Sequence, residues 1–140
     1  MKIEMRNRII WAFGAAITLG IGFILCRYTF FYLHGMKQWP FALFLLGLAV
    51  ILIAAVYNAR KPMYSTAGGY IIGFVLGMLF NWDTFHQERG PNGSSTNNGW
   101  IIWLFSFLLF VAVGVIWDIA NRTIRKHRKL KDGGIGIWKI

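Results

Sequence analysis

The segment between positions 83 and 99 contains the residues that most resemble metal ligands. Asp83, His86 and Glu88 form an Asp-x-x-His-x-Glu pattern, and His34 is expected on the same side of the protein. Groups of three or four carboxylate oxygens and imidazole nitrogens bind Zn²⁺. This spacing matches no established zinc motif, and the residues after Glu88 are typical of a loop. We therefore interpret the segment as a hydrophilic turn, with a metal site as the alternative.

The same carboxylates are the obvious place to look for catalysis. A hydrolytic site also needs a nucleophile with a neighbouring base, and donors that stabilise an oxyanion. The sequence around Asp83 and Glu88 supplies neither. The prediction is a protein without enzymatic activity, catalytic residues or a cofactor, whose loop is more suited to recognition than to reaction.

The segments on either side of this loop have the composition of membrane spans. Of the 140 residues, 56% are hydrophobic and 14% are charged, whereas a soluble domain carries about 25% charged residues. The mean hydropathy is +0.51. A span needs about 20 predominantly apolar residues to cross a hydrocarbon layer of ~30 Å. Four blocks approach that length, at about 9–26, 39–57, 64–82 and 100–117. The sequence predicts an all-α membrane protein with four transmembrane helices in a compact bundle.

Lysine and arginine predict the orientation of these helices. If the N-terminus is inside, twelve of the fifteen basic residues fall on the inner side, and Arg27, Lys37 and Arg89 fall outside. Basic residues are enriched in cytoplasmic segments, so we predict that both termini are cytoplasmic, in a bacterial inner membrane. Tryptophans near the span ends agree with interfacial positions: Trp11, Trp39, Trp82, Trp100 and Trp117.

The net charge of +10 lies mainly beside the apolar blocks. This placement predicts contact with anionic lipid headgroups and argues against nucleic-acid binding. We divide the chain into a transmembrane domain, 1–121, and a basic cytoplasmic tail, 122–140. Asp118 is expected to balance Arg60, Lys61 or Arg122. The tail residues expected at the headgroups are Arg122, Arg125, Lys126, Arg128, Lys129 and Lys131.

Two of the predicted spans carry small or polar residues at every fourth position. Such stripes let helices approach closely in a membrane, so we predict that they mediate helix packing. The two stripes align at an offset of 51 residues, which suggests a tandem two-helix repeat, with chance similarity as the alternative. The stripe residues are Gly14, Thr18, Gly22 and Cys26 in the first span, and Ser65, Gly69, Gly73, Gly77 and Asn81 in the third.

Two classes of function fit this sequence. No ionisable residue is predicted deep within a span, which argues against a proton-coupled pump. The first class is an accessory, assembly or immunity-type subunit that binds a membrane-protein partner, or itself, through helix packing and the outer loop. The alternative is an oligomeric small transporter, lipid flippase or channel in which the repeat supplies pseudo-symmetry. The packing stripes and the lack of catalytic groups favour the first class.

Overall fold

A computed structural model describes residues 2–30, 36, 38–80 and 98–134, with the side chains of 2–4 and 129–134 left undescribed. All regular structure in these ranges is helical. Four of the helices are long and apolar enough to cross a membrane, as predicted, which indicates a multi-pass integral membrane protein. The helices are α1, Lys2–Ile24, continued by a π-helical turn, Leu25–Thr29; α2, Trp39–Val56; α3, Arg60–Leu79; and α4, Gly99–Gly134.

Helix α3 begins at Arg60, before the start that hydropathy predicts at position 64. Hydropathy excludes Arg60 and Lys61 because they are charged, yet both belong to the first helical turn. Pro62 does not interrupt the helix, because the backbone N–H groups of the first turn have no acceptor within the helix. The two basic residues are therefore fixed to a helix end and do not belong to a loop.

A tight reversal joins α2 to α3. Asn58 has φ 52°, in the left-handed region, which asparagine tolerates better than most residues. Its N–H donates to the carbonyl of Ala55 at 3.1 Å, and the N–H of Ala59 donates to the carbonyl of Ala54 at 2.8 Å. These two bonds form the Schellman arrangement that ends many helices. The chain thus reverses within residues 57–59.

Helix α3 is the central element, since it packs against α1, α2 and α4. Helices α1 and α2 also pack against each other, whereas α4 makes its main contact with α3. As a result, a groove remains between α2 and α4. The buried residues of α3 lie on several of its sides: Pro62, Met63, Thr66, Ala67, Gly69, Tyr70, Gly73, Phe74 and Gly77.

Aromatic contacts show which helix ends lie together. The ring of Trp11 meets that of Tyr64 edge-on, with centroids 5.8 Å apart, so α1 and α3 begin at the same end. The rings of Trp39 and Trp100 stack at 4.3 Å, so α2 and α4 begin at the other end. The helices therefore alternate in direction. We call the end that holds Trp11 and Tyr64 the basic end.

Helix α4 is much longer than the predicted fourth span. It contains 36 residues and continues without interruption through position 122, where the predicted tail begins. At 1.5 Å per residue its length is roughly 54 Å, well beyond a hydrocarbon layer of ~30 Å. Lysine and arginine favour the helix but not the bilayer, so hydropathy detects the end of the apolar segment and not the end of the helix.

Candidate functional site

The predicted metal ligands Asp83, His86, Glu88 and His34 lie outside the described residues. The metal site at the outer loop therefore stays a prediction. In the parts of the chain that the structure describes, no three His, Cys, Asp or Glu residues are grouped so that they could hold a metal ion.

The small residues of α3 face α4 at close range. A Cβ built on Gly73 would lie 2.9 Å from Cδ1 of Trp103, and one built on Gly77 would lie 2.7 Å from the carbonyl oxygen of Gly99. Gly69 faces α4 in the same way. A larger side chain at these positions would require the two helices to shift apart. That the stripe stabilises the fold remains a prediction.

The α3 stripe ends at Ser65 on one side and at Asn81 on the other. Ser65 lies against Gly114 of α4, where an added Cβ would overlap the Ser65 Oγ. The Ser65 hydroxyl donates to the carbonyl of Pro62 at 3.1 Å, so its one donor is used within its own helix. Asn81 lies outside the described residues.

The α1 stripe is divided between two environments. A Cβ built on Gly22 would lie 3.2 Å from Cδ1 of Tyr70, so this glycine faces α3. A Cβ built on Gly14 would meet no atom within 4 Å. Thr18 is exposed, and its hydroxyl donates to the carbonyl of Gly14 at 3.0 Å. The stripe thus packs inside the protein at one end and is uncovered at the other. The tandem repeat stays a prediction.

A positively charged cavity lies at the basic end, between the start of α3 and the part of α4 beyond Trp117. Its volume is about 430 Å³. Four basic side chains and one carboxylate line it, giving a net charge of +3. We call it the basic cavity. Its lining residues are Asn58, Arg60, Lys61, Asp118, Asn121, Arg122 and Arg125.

Arg122 is held in this cavity by two hydrogen bonds. Its Nε donates to Oδ2 of Asp118 at 2.6 Å, and its Nη2 donates to the carbonyl of Tyr57 at 2.7 Å. The guanidinium therefore connects α4 to the carbonyl end of α2, where a cation is favoured by the helix dipole. Asp118 pairs with one of the three basic residues expected for it. An exposed ion pair of this spacing contributes only about 0.3–0.5 kcal/mol, so its main effect is to fix the direction of the side chain.

Arg60 and Lys61 lie against tryptophan rings. The guanidinium carbon of Arg60 is 5.6 Å from the centroid of Trp11, and the Lys61 Nζ is 5.7 Å from the centroid of Trp117. A cation over an aromatic face is attracted by the ring quadrupole. Because tryptophan prefers the membrane interface, these contacts suit a cavity at headgroup level.

An apolar groove adjoins the basic cavity. It has a volume of about 410 Å³ and lies between α2 and α4. Asp118 and Arg122 line both spaces, so the cavity and the groove meet at these residues. We call it the α2–α4 groove. Its apolar lining includes Val50, Ile53, Ala54, Val111, Val115 and Ile119.

Two described side chains carry a buried polar atom without a hydrogen-bond partner. One is Oδ1 of Asn58, in the lining of the basic cavity, and the other is Nε of Arg8. Arg8 lines a second groove, of about 490 Å³, between α1 and α2. Buried polar groups are rarely left unpaired in folded proteins. The lining of the basic cavity therefore includes a residue, Asn58, whose buried acceptor oxygen receives no hydrogen bond.

The residues named from the sequence for headgroup contact all lie in the tail, and Arg60 and Lys61 of α3 were not named with them. The structure groups Arg122 and Arg125 with Arg60 and Lys61. Lys126 and Arg128 are exposed and do not line the cavity. Lys129 and Lys131 lie in α4, but their side chains are outside the described set. The basic pair Arg60 and Lys61 is visible in the sequence. That it lies beside Arg122 and Arg125 depends on how α3 and α4 pack, which the sequence does not show.

Comparison with protein-family models, with curated proteins and with solved structures gives no match for this chain.

Proposed function

We propose that this protein is a non-enzymatic accessory, assembly or immunity-type subunit that binds another membrane protein. The observation that carries the proposal is the uncovered surface of α1. Gly14 has no atom within 4 Å of a built Cβ, and Thr18, one helical turn further along the same face, is exposed. This surface fits a transmembrane helix of a partner.

Small residues have a specific use at such a surface. Lipid chains are as apolar as a leucine side chain, so helix association in a membrane depends on close packing. A glycine turned toward lipid offers little side-chain contact, whereas a glycine under a partner helix lets the two backbones approach. The neighbouring Ile17 and Ile21 are about half exposed, at 49% and 54%, and supply apolar contact beside it.

The packed interior supports docking over conduction through a single copy. Trp103, Tyr70 and Phe107 are fully buried between the helices. The Trp103 indole N–H and the Tyr70 hydroxyl both form hydrogen bonds to backbone carbonyls within the protein. Large paired side chains that fill the centre are typical of a rigid packed core and not of a water-filled lumen.

Site-specific photo-crosslinking tests the docking proposal. A photoreactive phenylalanine analogue replaces Ile17 in one variant and Leu109 in the other, since both are large and exposed. We expect a protein adduct of defined mass from position 17 and none from position 109. A dimer of this chain would identify the partner as a second copy. Lipid adducts alone at both positions would refute the proposal.

We also propose that the basic end faces the cytoplasm of a bacterial inner membrane. The excess of lysine and arginine in the segments at that end supports this orientation. The outer loop, 83–99, then faces the other side and remains a candidate surface for the partner.

A second function, as an oligomeric lipid flippase or small transporter, is favoured by a different observation. The charged cavity and the apolar groove share Asp118 and Arg122 in their linings, so they adjoin as the path of a lipid headgroup and its chain would require. Reconstitution into proteoliposomes with fluorescent phospholipids tests it. Movement of lipid between leaflets above that of protein-free vesicles would favour this function, and unchanged movement would exclude it.

A further inference from the structure

We infer that the basic cavity and the α2–α4 groove together bind one anionic glycerophospholipid. Its phosphate would lie among the basic side chains of the cavity, and an acyl chain would lie along the groove. This inference goes beyond the proposed function, because it requires neither a partner protein nor movement of the lipid.

Charge complementarity identifies the headgroup. The cavity lining has a net charge of +3, so it favours an anionic headgroup over a zwitterionic one. Arg60 and Lys61 begin α3, and Ala59 before them provides no side-chain cap. The uncapped N–H groups and the positive end of the helix dipole add to the attraction for a phosphate.

The geometry of Arg122 suits a phosphate ligand. Its hydrogen bonds to Asp118 and Tyr57 engage Nε and Nη2, so Nη1 can donate to a phosphate oxygen. Because the guanidinium is already fixed, less side-chain entropy is lost when the ligand binds. Asn58 adds an uncharged polar side chain to the lining beside these basic groups.

The α2–α4 groove would contact an acyl chain of the lipid. It begins at the two residues that it shares with the cavity, Asp118 and Arg122. Ile53 and Ile119, on opposite walls, are each 59% exposed. A hydrocarbon chain between them would contact both helices, which do not close on one another. Because the two spaces adjoin, the basic side chains of the cavity lie next to the apolar side chains of the groove, as the phosphate of a phospholipid lies next to its acyl chains.

Native mass spectrometry of the purified protein in detergent tests the site. The probes are dioleoylphosphatidylglycerol, which is anionic, and dioleoylphosphatidylcholine, which is zwitterionic. We expect one phosphatidylglycerol to remain bound at concentrations where phosphatidylcholine does not. K61Q/R125Q removes two cavity charges and retains the hydrogen bonds of Arg122, and should weaken phosphatidylglycerol binding at least about tenfold. K126Q/R128Q removes the same charges from exposed positions outside the cavity and should bind like the wild type.

Three results would overturn the site. Equal retention of phosphatidylglycerol and phosphatidylcholine would show that the charge of the headgroup does not determine binding. Equal losses in the two double variants would indicate diffuse attraction to the whole basic surface. Equally tight binding of sn-glycerol 3-phosphate would indicate a site for a free anion and not for a lipid. If K61Q/R125Q does not give a monodisperse protein, R125Q compared with R128Q provides the same contrast with one charge.

A variant of the groove tests the acyl chain separately. Val115 is 39% exposed and lines the α2–α4 groove. V115W should fill part of the groove and weaken dioleoylphosphatidylglycerol binding severalfold. V113W, on the same helix at a position that does not line the groove, is the control. Equal binding by both variants would show that no chain lies in the groove and would overturn the inference.

Discussion

Trp103 of α4 donates a hydrogen bond from its indole Nε1 to the backbone carbonyl of Tyr70 in α3, at 2.8 Å. Both side chains are fully buried, and their rings meet edge-on with centroids 5.1 Å apart. The Tyr70 hydroxyl donates in turn to the carbonyl of Pro40 in α2, at 2.9 Å. Two side chains thus connect three helices, and the indole N–H of Trp103 and the hydroxyl of Tyr70 each have a partner in the apolar interior.

Replacing Trp103 tests the contribution of this connection. W103F keeps a large ring and removes the donor, so we expect the free energy of unfolding to fall by about 1 kcal/mol. W103A also leaves a cavity and should cost about 3–5 kcal/mol. Reversible unfolding in mixed detergent micelles measures both. Equal losses for the two variants would show that packing of the ring contributes nothing.

Gly73 and Gly14 form a matched pair for the role of the small residues. An added side chain at Gly73 meets Trp103 at 2.9 Å, whereas at Gly14 it meets nothing within 4 Å. G73I should destabilise the protein by about 1–3 kcal/mol or prevent folding. G14I should change stability by less than about 0.5 kcal/mol. The measurement is thermal stability in detergent, and an unchanged midpoint for G73I would refute a packing role for the α3 stripe.

G14I also separates folding from partner binding. If the uncovered surface of α1 binds another helix, the variant should purify as stably as the wild type and lose its partner. Quantitative co-purification from membranes checks this expectation. If G14I retains its partner, the docking surface does not lie at Gly14 on α1.

Asn58 tests the turn that positions the basic cavity. Its φ of 52° suits glycine and asparagine. N58G should therefore preserve stability within about 0.5 kcal/mol, and N58A should lower it by about 1 kcal/mol. Thermal unfolding in detergent distinguishes the two variants. Equal stability would mean that the left-handed conformation is not required at this turn.

Cysteine labelling tests the predicted topology. In a C26S background, S94C places a thiol in the predicted outer loop and K126C places one in the predicted cytoplasmic part of α4. We expect a membrane-impermeant maleimide to label S94C in intact cells and K126C only after permeabilisation. The reverse pattern would invert the orientation.

The spans were predictable because membrane insertion depends on local composition. Four apolar blocks were visible, and each corresponds to a helix. The helix ends were less predictable, because Arg60 and the residues beyond Trp117 are helical for reasons that hydropathy does not measure. Backbone hydrogen bonding continues where apolar character stops.

The basic cavity was not predictable from one sequence. Arg60 and Arg125 are far apart in the chain, and they line the same space only because α3 and α4 pack in one register. Likewise, short loops do not reveal that α4 packs mainly on α3 and leaves a groove beside α2. The sequence places Asn58 in a short connection between two spans. It does not show that the side-chain oxygen is buried without a partner, because that depends on the conformation of the turn.

The uninterrupted course of α4 has a mechanical consequence. Residues 118–134 and Trp103 belong to the same rod of hydrogen-bonded backbone. A molecule that displaces residues 118–134 would therefore also act on the part of α4 that packs against Gly73 and Gly77.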